Sequence, residues 1–218
     1  MSQFDRAVMA FRIEKVLPSH CAKYVTPAFN GDVQAAFSLS CFLDNADRGA
    51  MALAMWQAKI PREAFRAYFA PVWMHDHRRV IEAAQTRRRL ADMFRYAAFA
   101  LPAELPDVVR VWRGSSKLSL EDASKGYSWT TDKDVACWFA MRFAADNGAP
   151  LVLAADVPKT EIALFTDERS EQEALLLKPP AGLFIDGTEA DWALGHKRKE
   201  AAYQASRTAM LNAKGGRA

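Results

Sequence analysis

Cysteine is scarce in this chain. Its three residues, Cys21, Cys41 and Cys137, are odd in number and far apart, which argues against a disulfide framework. Set mostly in apolar runs, they read as reduced, buried thiols of a cytoplasmic protein. Histidine is nearly as sparse, at four. The segment His75-Asp76-His77 looks like a metal site at first, but on a helix positions i and i+2 point apart. No Cys or His elsewhere completes a set at ligand spacing, so no metal is expected. No apolar run approaches the length of a membrane span, and none is expected to meet a membrane. The N-terminal stretch is broken by Asp5, Arg6, Arg12, Glu14 and Lys15, so no cleavable secretory signal is expected. The expected location is the cytoplasm, or a host cell reached by an injection route that needs no such signal. The formal charge of +3 is too small to diagnose an anionic partner, and there is no internal repeat or low-complexity tract.

What is present begins with helices. The chain has 218 residues, half of them hydrophobic, enough for one good core or two small units. Residues 1–105 read as a helical region. Asn30 or Asp32 caps a run that places Val33, Ala36, Phe37 and Cys41 on one face. Met51, Ala54, Met55 and Ala58 form a second stripe. Pro61 opens a third with Phe65, Tyr68 and Phe69, and a longer segment from Asp76 to Ala100 follows. Arg78, Arg79, Arg87, Arg88, Arg89 and Arg95 invite a nucleic-acid interpretation. At roughly 100° per residue they fall on nearly all sides of a helix, as solvated, partly ion-paired positions would.

Strand-like runs take over after Pro106. In Val108-Val109-Arg110-Val111-Trp112-Arg113-Gly114, alternation puts Arg113 on the face of Val109 and Val111, where a guanidinium is costly unless it meets an anion. Gly114 then frees the backbone for close approach. In Gly126-Tyr127-Ser128-Trp129-Thr130-Thr131-Asp132, Ser128 and Thr130 share a face and Trp129 takes the other. Asp132 or Thr131 caps a helix that Asn147-Gly148 ends. Its Val135, Trp138, Phe139, Arg142 and Phe143 lie at helical spacing, which for the aromatics predicts core packing ahead of contact with a ligand.

The most informative stretch is Arg169-Ser170-Glu171-Gln172-Glu173-Ala174-Leu175-Leu176-Leu177. A strand beginning by Glu171 would point both carboxylates to one side. Two acids converging on a small space call for a cation, or for a transition state that resembles one. Each motif alone has a plainer explanation: a solvated loop edge, a surface ion pair of Arg113, an ordinary strand edge at Ser128.

Taken in order, Trp112-Arg113-Gly114, Tyr127-Ser128-Trp129-Thr130 and Glu171-Gln172-Glu173-Ala174-Leu175-Leu176 resemble the ADP-ribosyltransferase family of the Arg, Ser-Thr-Ser, Glu-x-Glu type. That family includes bacterial exotoxins, vertebrate ecto-enzymes and bacteriophage transferases. The resemblance spans about residues 107–187, with Leu151–Lys159 as a following strand and turn and Leu183-Phe184-Ile185 as a later strand. It implies an α+β protein with a split, two-sheet fold preceded by the helical region: an NAD-binding core over 106–187, and a C-terminal helix and tail over 188–218. It also implies roles. Arg113, with Gly114, would grip a phosphate of NAD, the cosubstrate. Ser128 would hydrogen-bond the catalytic carboxylate and Thr130 would support it. Glu173 would bind the nicotinamide ribose and stabilise the cation formed as nicotinamide leaves. Glu171 would orient or deprotonate the acceptor, an arginine when this position is Glu.

Departures from the family pattern are Trp129 in the middle of Ser-Thr-Ser and a helix where the family often has a phosphate-nicotinamide loop. Arg142 on that helix either reaches an NAD phosphate or is solvated. The acidic loop before Glu171 leaves Glu168 as an alternative acceptor base. The expected activity is mono-ADP-ribosyl transfer to a protein, an arginine of a host protein being the partner the resemblance favours over a nucleic acid; an NAD glycohydrolase and a non-catalytic helical binding protein are the alternatives. Gly195–Lys199 and the tail from Lys214 read as an exposed helix and a frayed end.

Overall fold

A computed structural model describes residues 2–215 and divides the chain into two compact units, Met1–Phe99 and Ala100–Ala218. The first is helical: α1 (Gln3–Glu14), α2 (Ser19–Ala22), α3 (Val25–Phe29), α4 (Val33–Phe42), α5 (Asn45–Gln57), α6 (Arg62–Ala84) and α7 (Arg87–Ala97). Side-chain caps start these helices where the sequence provides them. Asp32 accepts from Ala35 N at 2.9 Å, and Thr86 accepts from Arg89 N at 3.2 Å, each satisfying a first-turn donor. The core is aromatic. Phe65, Tyr68, Phe69 and Trp73 of α6 are buried with Phe94 of α7, and the Phe94 ring lies 4.8 Å from Phe69 and 4.9 Å from Trp73. α5 and α6 cross at Gly49, where a Cβ would fall 2.1 Å from the Arg79 carbonyl oxygen. Arg48 and Asp76 close the same crossing with an ion pair at 2.6 Å.

Two helical expectations need correction. The buried face of α4 is Ala35, Ala36, Leu39 and Ser40, while Val33, Phe37 and Cys41 are exposed; apolar residues all round this helix left its face undetermined by periodicity. Asp76 does not open a helix. It departs from helical geometry (φ −136°, ψ 33°) inside α6, and the chain turns at Gln85 before α7. The surface arginines carry local pairs, Arg78 and Arg79 on Glu82 and Arg95 on Asp92, and Arg89 bonds the Ala84 carbonyl and Gln85.

The second unit contains β1 (Val108–Ser116), α8 (Leu120–Ser124), β2 (Ser128–Thr130), α9 (Lys133–Met141), α10 (Ala144–Asn147), β3 (Pro150–Pro158), β4 (Ile162–Thr166), β5 (Glu173–Leu176), β6 (Phe184–Ile185) and α11 (Glu189–Gly215). It starts earlier than expected, before residue 106, because the Lys159 ammonium binds the carbonyls of Pro102 (2.6 Å), Ala103 (3.3 Å) and Leu105 (2.9 Å). These bonds fasten the Pro-rich segment to the turn after β3. Of the expected tail, Lys214 and Gly215 still have helical backbone, and residues 216–218 lie outside the described residues.

The strands form one antiparallel six-stranded sheet in the order β4-β5-β2-β1-β3-β6. The protein is therefore α+β with an N-terminal helical region, and the described strands make one sheet in place of the expected two. A trace of division remains. β1 pairs with β3 from Val108–Pro158 to Ser116–Pro150, but with β2 at the single pair Trp112–Thr130. Two three-stranded halves thus meet at a narrow seam.

Alternation sorts the sheet into two faces. Val109, Val111, Trp129, Leu153, Ala155, Val157, Ile162, Ala174 and Leu176 are buried together on one. On the other, Trp112 and Val152 pack against Ala136, Cys137 and Ala140 of α9 and Trp192 of α11. Glycines set this packing: a Cβ on Gly114 would lie 1.7 Å from the Ala136 carbonyl oxygen, and one on Gly195 would lie 2.7 Å from Cys137 Sγ. Burial pushes the Cys137 thiol up to about 11.

Candidate functional site

The three motifs lie on three consecutive strands. Sheet order places β1 with Arg113, β2 with Ser128 and Thr130, and β5 with Glu173 side by side. Register then fixes which residues meet. Thr130 stands opposite both Trp112 and Glu173, so these three share the α9 face. Ser128 is opposite Leu175, one step further along that face. Arg113 follows Val109 and Val111 on the other face, opposite the fully buried Leu153.

Arg113 is largely buried, and its surroundings do little for its charge. One Nη donates to the Ser128 carbonyl, while Nε is buried with no partner. Burial lowers its pKa, and the nearby Glu173 carboxylate acts in the opposite direction. The guanidinium lies over Gly126, where a Cβ would fall 2.0 Å from Arg113 Cζ. Only glycine leaves that space. A forked donor held this way, with an unused N–H, suits a planar or tetrahedral oxyanion. Gly114 contributes differently from the expectation, since the side its missing Cβ leaves open is filled by α9.

Glu173 begins β5 and is 8 % exposed. Among the described residues no hydrogen bond to its carboxylate is formed, and the expected bond from Ser128 is absent because register puts Leu175, not Glu173, across from it. Thr130 is the cross-strand neighbour, but its hydroxyl donates to the Glu171 carbonyl at 2.6 Å and accepts from Asp132 N at 3.0 Å. Thr130 therefore anchors the loop carrying Glu171.

That loop also corrects the placement of Glu171. β5 starts at Glu173, and Ser170 (φ 54°) and Gln172 (φ 44°) are left-handed, so Glu171 precedes the strand and does not share its alternation. Non-glycine residues in this conformation persist where surroundings hold them. Here the holds are specific: Lys199 of α11 donates to the Ser170 carbonyl at 2.8 Å, Thr131 N to the Gln172 carbonyl at 3.1 Å, and Gln172 N to Asp167 at 3.0 Å. The Glu171 carboxylate pairs with Arg169 at 2.8 Å. Glu168 lies on the exposed part of the loop.

A second correction concerns α9. Its buried residues are Val135, Ala136, Cys137 and Ala140, so Trp138 and Phe139 belong to a half-exposed side. The Arg142 guanidinium stacks there, 4.4 Å from the Trp138 ring and 4.7 Å from those of Phe139 and Phe143. The sequence pattern was helical as read, but the small residues Ala136, Cys137 and Ala140 took the core face and displaced the aromatics outward.

Residues of α11 complete the surroundings and were missed. Lys199, 11 % exposed, pairs with Asp132 at 3.1 Å. Tyr203 packs edge-on against Trp138 at 5.4 Å, and burial, together with Glu171 and Asp132, raises its phenol pKa. Trp138 Nε1 donates to Glu200 at 3.0 Å, and Arg198 binds Asp134. The signal was available: Trp192, Gly195, Lys199 and Tyr203 recur at helical spacing, with a glycine where a close crossing needs one. Beyond the seam, Trp112 Nε1 donates to Asp186 at 2.6 Å and Lys133 pairs with the same carboxylate at 3.1 Å.

Searches of protein-family models, curated proteins and solved structures give no match to this chain, so the chemistry of the site is argued from its own residues.

Proposed function

We propose that the protein is an NAD-dependent mono-ADP-ribosyltransferase that moves ADP-ribose from NAD to an arginine of a protein, releasing nicotinamide. The observation that carries this reading is the largely buried Arg113 whose Nε has no partner, on which the charge of the Glu173 carboxylate from the neighbouring half of the sheet acts. A buried donor left open is costly unless a ligand completes it. A dinucleotide with a pyrophosphate and a cationic leaving group supplies both an anion for Arg113 and developing positive charge for Glu173.

In this reading Arg113 binds a phosphate through its free donor, its orientation fixed by the Ser128 carbonyl and the space over Gly126. Glu173 accepts from a ribose hydroxyl and stabilises the positive charge that grows at C1′ as the bond to nicotinamide lengthens. Thr130 holds the backbone of Glu171. Glu171 receives the acceptor guanidinium, which is protonated at ordinary pH and needs a carboxylate to take its proton before it can act as a nucleophile. Arg142, stacked on aromatic rings and exposed, offers a second cation to the dinucleotide. A host protein as target, and an effector or phage setting, are part of the same proposal and rest on the motif resemblance.

The test is incubation with labelled NAD and a cell extract, alongside a nicotinamide-release assay, for the wild type, Glu173→Ala and Glu171→Ala. Expected are loss of both signals with Glu173→Ala, and loss of transfer with continued NAD hydrolysis with Glu171→Ala. Absence of NAD consumption by the wild type would refute the reading.

A further inference from the structure

We propose that Ser115 is a second donor to the oxyanion that Arg113 binds, so that the two side chains hold one phosphoryl group from the same face of β1; for NAD as the source of that group, this rests on the transferase reading above. Among the described residues, the buried side-chain polar atoms without a hydrogen-bond partner are Arg113 Nε and Ser115 Oγ. They stand two positions apart on one strand, so both side chains leave the same face. That face is apolar where it begins, at the buried Val109 and Val111, and turns polar at its end. Leu153 and Leu151 of β3 stand opposite Arg113 and Ser115, and neither side chain can accept a hydrogen bond. A hydroxyl left unbonded at 9 % exposure is costly in such surroundings. One ligand with several oxygens removes that cost together with the cost of the open guanidinium N–H.

The path of the Arg113 side chain brings the two donors to one level. Its guanidinium donates to the Ser128 carbonyl and lies over Gly126. Antiparallel continuation from the Trp112–Thr130 pair sets Gly114 level with Ser128 and Ser116 level with Gly126. The guanidinium therefore leans along β1 to the level of Ser115. No further pair joins β1 to β2 there, and the Arg113 side chain spans the two strands in place of a ladder. On its opposite face β1 is pressed against α9 at Gly114, where a Cβ would meet the Ala136 carbonyl oxygen, so the strand has little freedom to carry Ser115 away.

Guanidinium N–H groups supply charge and direction, and the hydroxyl adds a donor from a separate point on the strand. Together they match the free oxygens of a phosphoryl group better than the two of a carboxylate. Apolar neighbours strengthen both bonds, because little else competes for the anion.

The experiment titrates the purified full chain with inorganic pyrophosphate and with ADP-ribose by calorimetry, for the wild type, Ser115→Ala and Ser124→Ala. Nicotinamide release from NAD and the ligand-free melting temperature are measured on the same proteins. Ser124 is the control: it is as buried, at 8 % exposure, but its hydroxyl already donates to the Glu121 carbonyl at 2.6 Å. Expected for Ser115→Ala is roughly tenfold weaker binding of both ligands and a KM for NAD raised by a similar factor with kcat little changed. Its ligand-free melting temperature should hold or rise, since no internal bond is lost. Ser124→Ala should bind both ligands as the wild type does. Equal binding by Ser115→Ala and the wild type, or equal weakening in Ser124→Ala, would overturn the inference, and continued NAD consumption would then leave the transferase reading standing. Binding that requires Ser115 in a protein that releases no nicotinamide would support the phosphoryl site and remove the transferase reading. Failure of the wild type to bind either ligand would overturn the inference outright.

Discussion

Gln85 and Ala98 of the helical unit and Ser170 and Gln172 of the sheet unit all adopt the left-handed backbone conformation, yet they do different things with it. Gln85 and Ala98 are the residues that end α6 and α7, where such a turn satisfies helix carbonyls and compensates its own cost. Ser170 and Gln172 end no helix. They flank Glu171 and are held by side chains from β2, α11 and their own loop. Buried charge divides in the same way. Arg48 and Asp76 of the helical unit neutralise each other, whereas among the described residues the buried side-chain polar atoms lacking a partner, Arg113 Nε and Ser115 Oγ, both belong to the sheet unit. One unit has closed its local accounts and the other has left them open around a few residues. Open positions of this kind are where a ligand gains most.

The contrast can be tested from its strongest consequence downwards. Glu173→Ala removes a carboxylate that is 8 % exposed and lies at the start of β5. Nicotinamide release should fall on the order of 10³-fold, while the melting temperature holds or rises. A fall in melting temperature together with retained turnover would make Glu173 a structural residue. In the helical unit the reverse is expected. Arg48→Ala strands Asp76, whose side chain is 12 % exposed, and should cost roughly 3 kcal/mol of stability in urea titration, with NAD turnover per folded molecule unchanged.

Gly126→Ala gives an intermediate effect. The new methyl would meet the movable end of Arg113, so the guanidinium shifts and the fold does not. NAD binding measured by calorimetry should weaken roughly tenfold, with stability altered by less than about 1 kcal/mol. The smallest expected effect is acid sensitivity at Asp186. Burial opposes its ionisation, but hydrogen bonds from Trp112 and Lys133 outweigh that and hold the carboxyl below its ordinary value. A carboxyl depressed in the folded state adds stability above its unfolded pKa and loses it as pH falls through the folded one. Asp186→Asn should therefore lose stability at neutral pH, by under about 1 kcal/mol for so accessible a pair, and converge with the wild type under acid conditions in thermal melts.

Much of the sheet unit could be read from the sequence, because alternation and stop signals are local. The long apolar run of β3 and the stop at Asn147-Gly148 have local physical causes, although the helix read as continuous from Asp132 to that stop breaks at Phe143 into α9 and the single turn α10. Arg113 follows Val109 and Val111 on one face for the same reason. What escaped was decided at a distance. The start of β5 depended on two left-handed residues held by Lys199 and Thr131, neither of which is near them in sequence. The partner of Glu173 depended on register across β2, which turned out to favour Thr130 over Ser128. The outward turn of Trp138 and Phe139 depended on α11, whose glycine and tryptophan claim the small-residue side of α9. On α4 the difficulty was the opposite one: too many apolar residues to reveal which would be covered.

The single pair joining β1 to β2 has a mechanical consequence. A continuous ladder transmits twist from strand to strand, and a ladder interrupted to one rung behaves as two plates on a pivot. Arg113 rides on one plate and Glu173 on the other, with the pivot at Trp112 and Thr130 between them. A small rotation there would change the span between cation and carboxylate without breaking the long β1–β3 pairing, and the bond from Arg113 to the Ser128 carbonyl, which crosses the same seam, would register it.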